Sequence, residues 1–210
     1  MSAGAVQPLS FSPAGPDEEL ARAELYGLLA RLYLAPPDEA LLAQFRVAVT
    51  QAPQEGAFLE EPWQELVAAM RATDAQAAAD EYDALFQGVG KPEVFLYGSY
   101  YLAGFLNEKP LAALRADLAR LGLGRDEASG ETEDHVAYVF EVMRYLIAGD
   151  DVEVCNLEQQ RRFFRRHVQT WLGSFCETLA AHPSARLYRA VAGFTQKFIE
   201  VETQGFDLLE

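Results

Sequence analysis

The chain has 210 residues, 50% of them hydrophobic and 23% charged, enough to bury a substantial core in one large or two small domains. Its 32 acidic and 17 basic side chains leave a formal net charge of -15, which argues against nucleic acid and anionic membranes as ligands and favours cationic partners. The two cysteines, Cys155 and Cys176, show no CxxC spacing, argue against a disulfide framework and fit a reducing compartment.

The N-terminal stretch MSAGAVQPLSFSPAGP lacks a basic n-region and a long apolar core, so residues 1–16 read as a disordered leader rather than a secretory signal. No apolar run approaches the roughly 18–20 residues that span a bilayer, and the expected location is cytoplasmic. From Pro16 the periodicity is helical. Asp17, Glu18 and Glu19 supply first-turn negative charge, and Leu20, Leu25, Leu28, Leu29, Leu32 and Tyr33 approximate one face of a helix that ends before Pro36-Pro37. Asp38 is placed to cap a second helix carrying Leu41, Leu42, Phe45 and Val49. A third, after Pro62, carries Trp63, Leu66, Val67 and Met70, and Asp74 opens a fourth in AQAAADEYDALF.

Between Gly88 and Asn107 the periodicity breaks into VFLYGSYYLAGF, which fits a loop or short helices and leaves a β-strand open. Its glycines do not form a phosphate loop. A helix resumes over Lys109 to Leu121 and stops at GLGRDEASG, so residues 122–130 suit a hinge between halves 17–121 and 131–205, and domain exchange between two protomers is as compatible with this connection as a monomer. After ETEDH, the residues Val136, Val139, Phe140, Met143, Leu146 and Ile147 mark a strongly amphipathic helix whose start is crowded by Glu131, Glu133 and Asp134. Capping explains much of this acidity. It leaves His135 unexplained, because a titratable ring gains nothing from a helix N-terminus, and the ring lies outside the apolar stripe.

A continuous stripe of Phe164, Val168, Trp171, Leu172, Phe175 and Leu179 follows, ended by His182-Pro183, and a last helix is expected from about Ser184 to Val201. Arg161, Arg162, Arg165 and Arg166 form a basic patch whose simplest reading is a solvated face paired with neighbouring acids. The expected fold is all-α, one bundle of eight to ten helices.

The chemistry in this pattern is sparse. A di-iron bundle needs repeated Glu-x-x-His pairs, Glu131 and His135 lie at i, i+4 with no second pair, and no metal or other cofactor is expected. No nucleophile motif accompanies Asp134 and His135, and adjacency at a helix start does not make a catalytic dyad.

EYDALFQGVG, FLYGSYYL, ETEDH and QRRFFRRHVQTWLGSFCETL, in this order and spacing across about residues 20 to 200, resemble the TorD/DmsD/NarJ family of redox-enzyme maturation chaperones. Tyr82, Leu85, Phe86, Gly88, Gly90, Tyr97, Ser99, Tyr101, Glu131, Asp134 and His135 agree with the family pattern, whereas Val89, Leu96 and Thr132 stand where it often has proline. The resemblance implies an all-helical, non-catalytic cytoplasmic chaperone that binds the twin-arginine signal peptide and apo form of a molybdenum-containing oxidoreductase, delaying export until cofactor insertion. Glu131, Asp134 and His135 are then a recognition cluster, with Tyr82, Phe86, Tyr97, Ser99 and Tyr101 as groove or supporting residues. Carboxylates would take guanidinium groups and an apolar groove the rest. The residues alone favour a core role for Leu85 and Phe86 on an amphipathic helix, and leave Tyr97, Ser99 and Tyr101 equally open to exposure and to packing. They also leave open a helical scaffold subunit of an oxidoreductase and, more weakly, a nucleotide hydrolase.

Overall fold

The computed structural model describes residues 16–50, 58–88, 90–125 and 130–208; residues 1–15 of the expected leader and Val89 lie outside them, as does the middle of the expected hinge, and Pro16 already belongs to the first helix. Ten α-helices and no strands occur among the described residues: α1 (Pro16–Leu34), α2 (Glu39–Arg46), α3 (Glu60–Arg71), α4 (Ala75–Tyr82), α5 (Gly98–Ala103), α6 (Lys109–Arg120), α7 (Val136–Ala148), α8 (Leu157–Phe163), α9 (Leu172–Ala181) and α10 (Leu187–Asp207). The all-α expectation holds.

Helix starts follow local chemistry. Asp38 accepts the Leu41 N–H at 2.8 Å and Asp74 the Ala77 N–H at 2.9 Å, as expected of N-caps, and Asn156 does the same for Gln159 at 3.1 Å. The start of α10 is capped from another helix. The Glu81 carboxylate accepts the N–H groups of Arg186, Leu187 and Tyr188 at 2.8–3.1 Å, which moves this start to Leu187, and the helix continues to Asp207 rather than stopping at Val201.

Residues 157–181 are not one helix. A π-helical turn, Phe164–Val168, follows α8, and the chain bends through Gln169–Trp171 before α9. The Trp171 indole donates to the His167 carbonyl at 2.7 Å across this bend, so the apolar stripe stays buried although the helix is interrupted.

The longest packed interface runs between α1 and α7; α10 packs on α9 and α3, α2 on α3, and α5 on α6. One buried cluster runs through all of these, including Tyr26, Tyr33, Phe140, Phe175, Tyr188 and Phe198. Buried tyrosines find carbonyl partners where α1 ends: Tyr188 donates to Leu32 O at 3.0 Å, and Tyr82 to Tyr33 O and Leu34 O at 3.1 and 3.0 Å. Cys155 and Cys176 are free thiols. No described helix is long and apolar enough to cross a membrane.

Candidate functional site

The glycine-broken stretch and the ETEDH stretch meet. Leu96–Gly98 runs antiparallel to Asp134–Val136: Gly98 N–H donates to Asp134 O at 2.9 Å, Val136 N–H to Leu96 O at 2.8 Å, and Tyr97 and His135 form an isolated β-bridge. This two-residue pairing is what remains of the strand left open by the sequence. It brings together side chains more than thirty positions apart.

Asp134 caps α5, not α7. Its buried carboxylate accepts the Ser99 N–H at 2.9 Å and the Thr132 hydroxyl at 2.6 Å. The cap of α7 is His135, whose Nδ1 accepts the Ala137 N–H at 3.2 Å. The expectation that the ring gains nothing from the helix start is thus corrected, as is its placement outside the packed interior: His135 is 3% exposed and meets Tyr97 edge-on. Desolvation by burial pushes its pKa down to about 4, against the pull of Glu131 and Asp134. A neutral ring is also what the positive end of a helix dipole tolerates.

A pH dependence follows. A histidine held at about 4 in the folded state titrates near 6.5 when unfolded, so the unfolded chain binds the extra proton first. Its stability contribution is complete above pH 6.5 and is lost as pH falls towards 4, with a slope of up to about 1.4 kcal/mol per pH unit. Urea unfolding at pH 7.5 and 5 should show the loss, and His135→Asn, which keeps a capping side chain, should make it smaller. An identical slope in the variant would show that His135 is not responsible.

Of the other expected site residues, Tyr97 and Tyr101 are half-buried. Tyr97 donates its hydroxyl to Glu131, which is partly exposed; burial, reinforced by Glu131, raises the Tyr97 pKa. Tyr101 stacks on Trp171 with ring centroids 5.7 Å apart and donates to Phe95 O at 2.9 Å. Trp171 also abuts Gly98, where a Cβ would lie 3.0 Å from the indole, so this glycine lets α5 sit flush on the ring. Ser99 is buried, and its hydroxyl has no hydrogen-bond partner among the described residues.

Tyr82 and Phe86 are buried at 4% and 7% exposure; they support the site from beneath and offer little surface to a ligand. Phe86 packs edge-on against Tyr82 and Tyr188, both at 5.0 Å. Burial, with Glu131 adding to it, raises the Tyr82 pKa to about 12.

What sequence reasoning missed is the apolar ridge after α5. Leu102, in the last turn of α5, and Phe105 and Leu106, on the turn between Gly104 and Asn107 in left-handed conformations, are 44%, 71% and 41% exposed. At 1.5 Å per residue, α5 separates this ridge from the Asp134 cap by about 10 Å. Two apolar residues held between Gly104 and Asn107 were the available signal. Glu133 pairs with Arg115 at 2.9 Å, and Glu131 accepts from Tyr97. No group of three or more potential metal ligands occurs among the described residues.

The family model described as nitrate reductase delta subunit matches residues 53–177, more than half of the chain and both halves of this junction. The chain belongs to that family, which includes the TorD-type redox-enzyme maturation chaperones. It is 28% identical over 204 residues to "Chaperone protein TorD" of Vibrio cholerae serotype O1 strain O395, covering 90% of this chain and 93% of that protein. The TorD of strain N16961 is 29% identical over 205 residues, with the same coverage. A crystal structure described as a redox enzyme maturation protein from Archaeoglobus fulgidus has the same fold, with a TM-score of 0.56 at 20% identity over 85% of this chain and 93% of that one. The family assignment agrees with the resemblance carried by the sequence blocks, and its members' role is chaperoning redox-enzyme maturation.

Proposed function

We propose that this protein is a non-catalytic cytoplasmic chaperone that binds the twin-arginine signal peptide and the apo form of a molybdenum-containing oxidoreductase, holding the client until its cofactor is inserted. The observation that carries this reading is the pairing of Leu96–Gly98 with Asp134–Val136, which sets Tyr97 and its partner Glu131 at the start of α5, the six-residue helix that leads into an exposed apolar ridge. A signal peptide has the complementary order: a cationic segment followed by an apolar one. Glu131 offers a carboxylate to the first, and Leu102, Phe105 and Leu106 offer contact area to the second. A net charge of -15 adds long-range attraction for a basic peptide. The buried residues Asp134, His135, Ser99, Tyr82 and Phe86 fix this surface, and Tyr97 and Tyr101 border it.

The test is calorimetric titration with a peptide carrying the arginine pair and with its Lys-Lys counterpart. Lysine cannot reproduce the planar two-donor fork, and losing one charge-assisted hydrogen bond weakens binding by about tenfold. Phe105→Ser should weaken both peptides while leaving stability unchanged, since the ring is exposed. Equal affinity for the two peptides would remove the arginine-specific reading. Capture of the folded oxidoreductase with no peptide binding would instead make the protein a scaffold subunit.

A further inference from the structure

The basic patch noted in the sequence is not used by this surface. Arg165 pairs with Asp207 at 2.9 Å and Arg166 with Asp117 at 3.0 Å, so half of the patch is a paired face, as its simplest reading expects. Arg162 has no ion-pair partner among the described residues. It lines a cavity of about 70 Å³ where α8 meets the end of α6, together with Asp117, Arg120, Gln159, Phe163 and His167. A site for one water needs about 10–15 Å³ on this scale, so a tetrahedral oxyanion can be accommodated.

The π-helical turn shapes the cavity: it places His167 and Arg166 on consecutive positions that both reach Asp117, the former at 2.6 Å. Asp117, 7% exposed, also pairs with Arg120 one turn along α6. Burial, helped by Arg166 and Arg120, lowers the His167 pKa to about 4, so the ring is neutral at pH 7. Arg120 and Arg166 both pair with Asp117, and Arg162 lines the same cavity as Asp117 and Arg120, so these four groups carry an excess of two positive charges in a protein of net charge -15. The side-chain amide of Gln159 likewise has no hydrogen-bond partner among the described residues, and Phe163 supplies an apolar wall.

We propose that this cavity binds a small oxyanion, a phosphate group either free or carried as a monoester, with Arg162 and Arg120 as its charged donors and Gln159 as a neutral one. A guanidinium fork matches two oxygens of such a group, and the local positive excess supplies the attraction that the rest of the protein opposes. Residues of α6, α8 and the π-helical turn build the site; it is separate from the client surface at the α5–α7 junction.

The experiment is calorimetric titration of the full chain with inorganic phosphate and with phenyl phosphate, at constant ionic strength and low millimolar concentration, below the range where phosphate stabilises proteins by exclusion. One-site binding is expected, weakened about tenfold or more by Arg162→Gln and unchanged by Arg186→Gln, a charge removal elsewhere on the surface. Both substitutions replace exposed side chains, and thermal unfolding without ligand should confirm native stability. Tighter binding of phenyl phosphate would identify the monoester as the preferred form, through Phe163; tighter binding of inorganic phosphate would identify the free ion. Absence of binding by both probes, or an equal effect of the two substitutions, would overturn the proposal.

Discussion

Replacing Glu202 by alanine is expected to cost roughly 3–5 kcal/mol of unfolding free energy, because it strands a charge inside the bundle. Glu202 on α10 is 5% exposed and accepts two hydrogen bonds from the Arg22 guanidinium of α1, at 2.7 and 2.8 Å, and a third from the Tyr26 hydroxyl at 3.0 Å. Arg22 also donates to Gln160 of α8 at 3.2 Å, and Gln160 donates to the Leu146 carbonyl of α7 at 3.2 Å. Four helices distant in sequence thus share one polar network. Without the carboxylate, Arg22 keeps most of its desolvation cost and loses its neutralising partner. The double replacement Arg22→Met with Glu202→Leu should recover most of the loss, since a buried pair exchanged for apolar groups of similar volume is often neutral or better. Urea unfolding of the three variants is the measurement. A loss below about 1 kcal/mol for Glu202→Ala would mean that water screens the pair as it does at a surface.

That network was invisible to sequence reasoning, and the reason separates what could be read from what could not. The caps by Asp38 and Asp74 were legible because donor and acceptor lie three residues apart, and the stripe from Val136 to Ile147 was legible because burial repeats with the helical period. The break after Phe163 was not. A π-helical turn inserts its extra residue without disturbing the run of apolar positions, and its partners, Asp117 on α6 and the Trp171 indole, are fixed by tertiary packing.

The candidate site was legible as blocks and illegible as geometry. The resemblance aligned FLYGSYYL and ETEDH with one family, yet the hydrogen bonds joining them cross more than thirty positions, a separation that periodicity does not address. His135 looks surplus to the helix in the sequence because the usual caps are Ser, Thr, Asp and Asn; an imidazole Nδ1 can accept the same N–H when burial keeps it neutral. Asp134 adjoins α7 in sequence but caps α5, its neighbour in space. The exposure of Phe105 depends on where the turn after α5 projects, which composition does not encode.

Asp134→Ala should therefore be a structural lesion first and a binding lesion as its consequence. The carboxylate is 4% exposed, and the substitution removes the acceptor for both the Ser99 N–H and the Thr132 hydroxyl, leaving one buried backbone donor unsatisfied. Hydrogen bonds to a charged group contribute about 1.5–3 kcal/mol each, and Thr132 can turn to other partners, so the expected loss is roughly 2–4 kcal/mol. Asp134→Asn should lose about 1 kcal/mol, because the amide oxygen still accepts from Ser99 and the amide nitrogen can donate to a rotated Thr132 hydroxyl. The α5 helix has only six residues and is packed chiefly against α6, so loosening its N-terminus frees Tyr97 and the Leu102–Leu106 ridge to move together. Amide exchange at Ser99 and Tyr100 should accelerate in the alanine variant by more than global destabilisation requires, while amides of α10 follow the global change. Client-peptide affinity should fall with the α5 exchange rate and be largely restored in Asp134→Asn. If α5 and α10 amides accelerate equally, Asp134 stabilises the whole bundle and has no local role at α5; if Asp134→Ala unfolds within about 0.5 kcal/mol of the unsubstituted protein, the backbone pairing of Leu96–Gly98 with Asp134–Val136 holds the junction alone and Asp134 is dispensable to it.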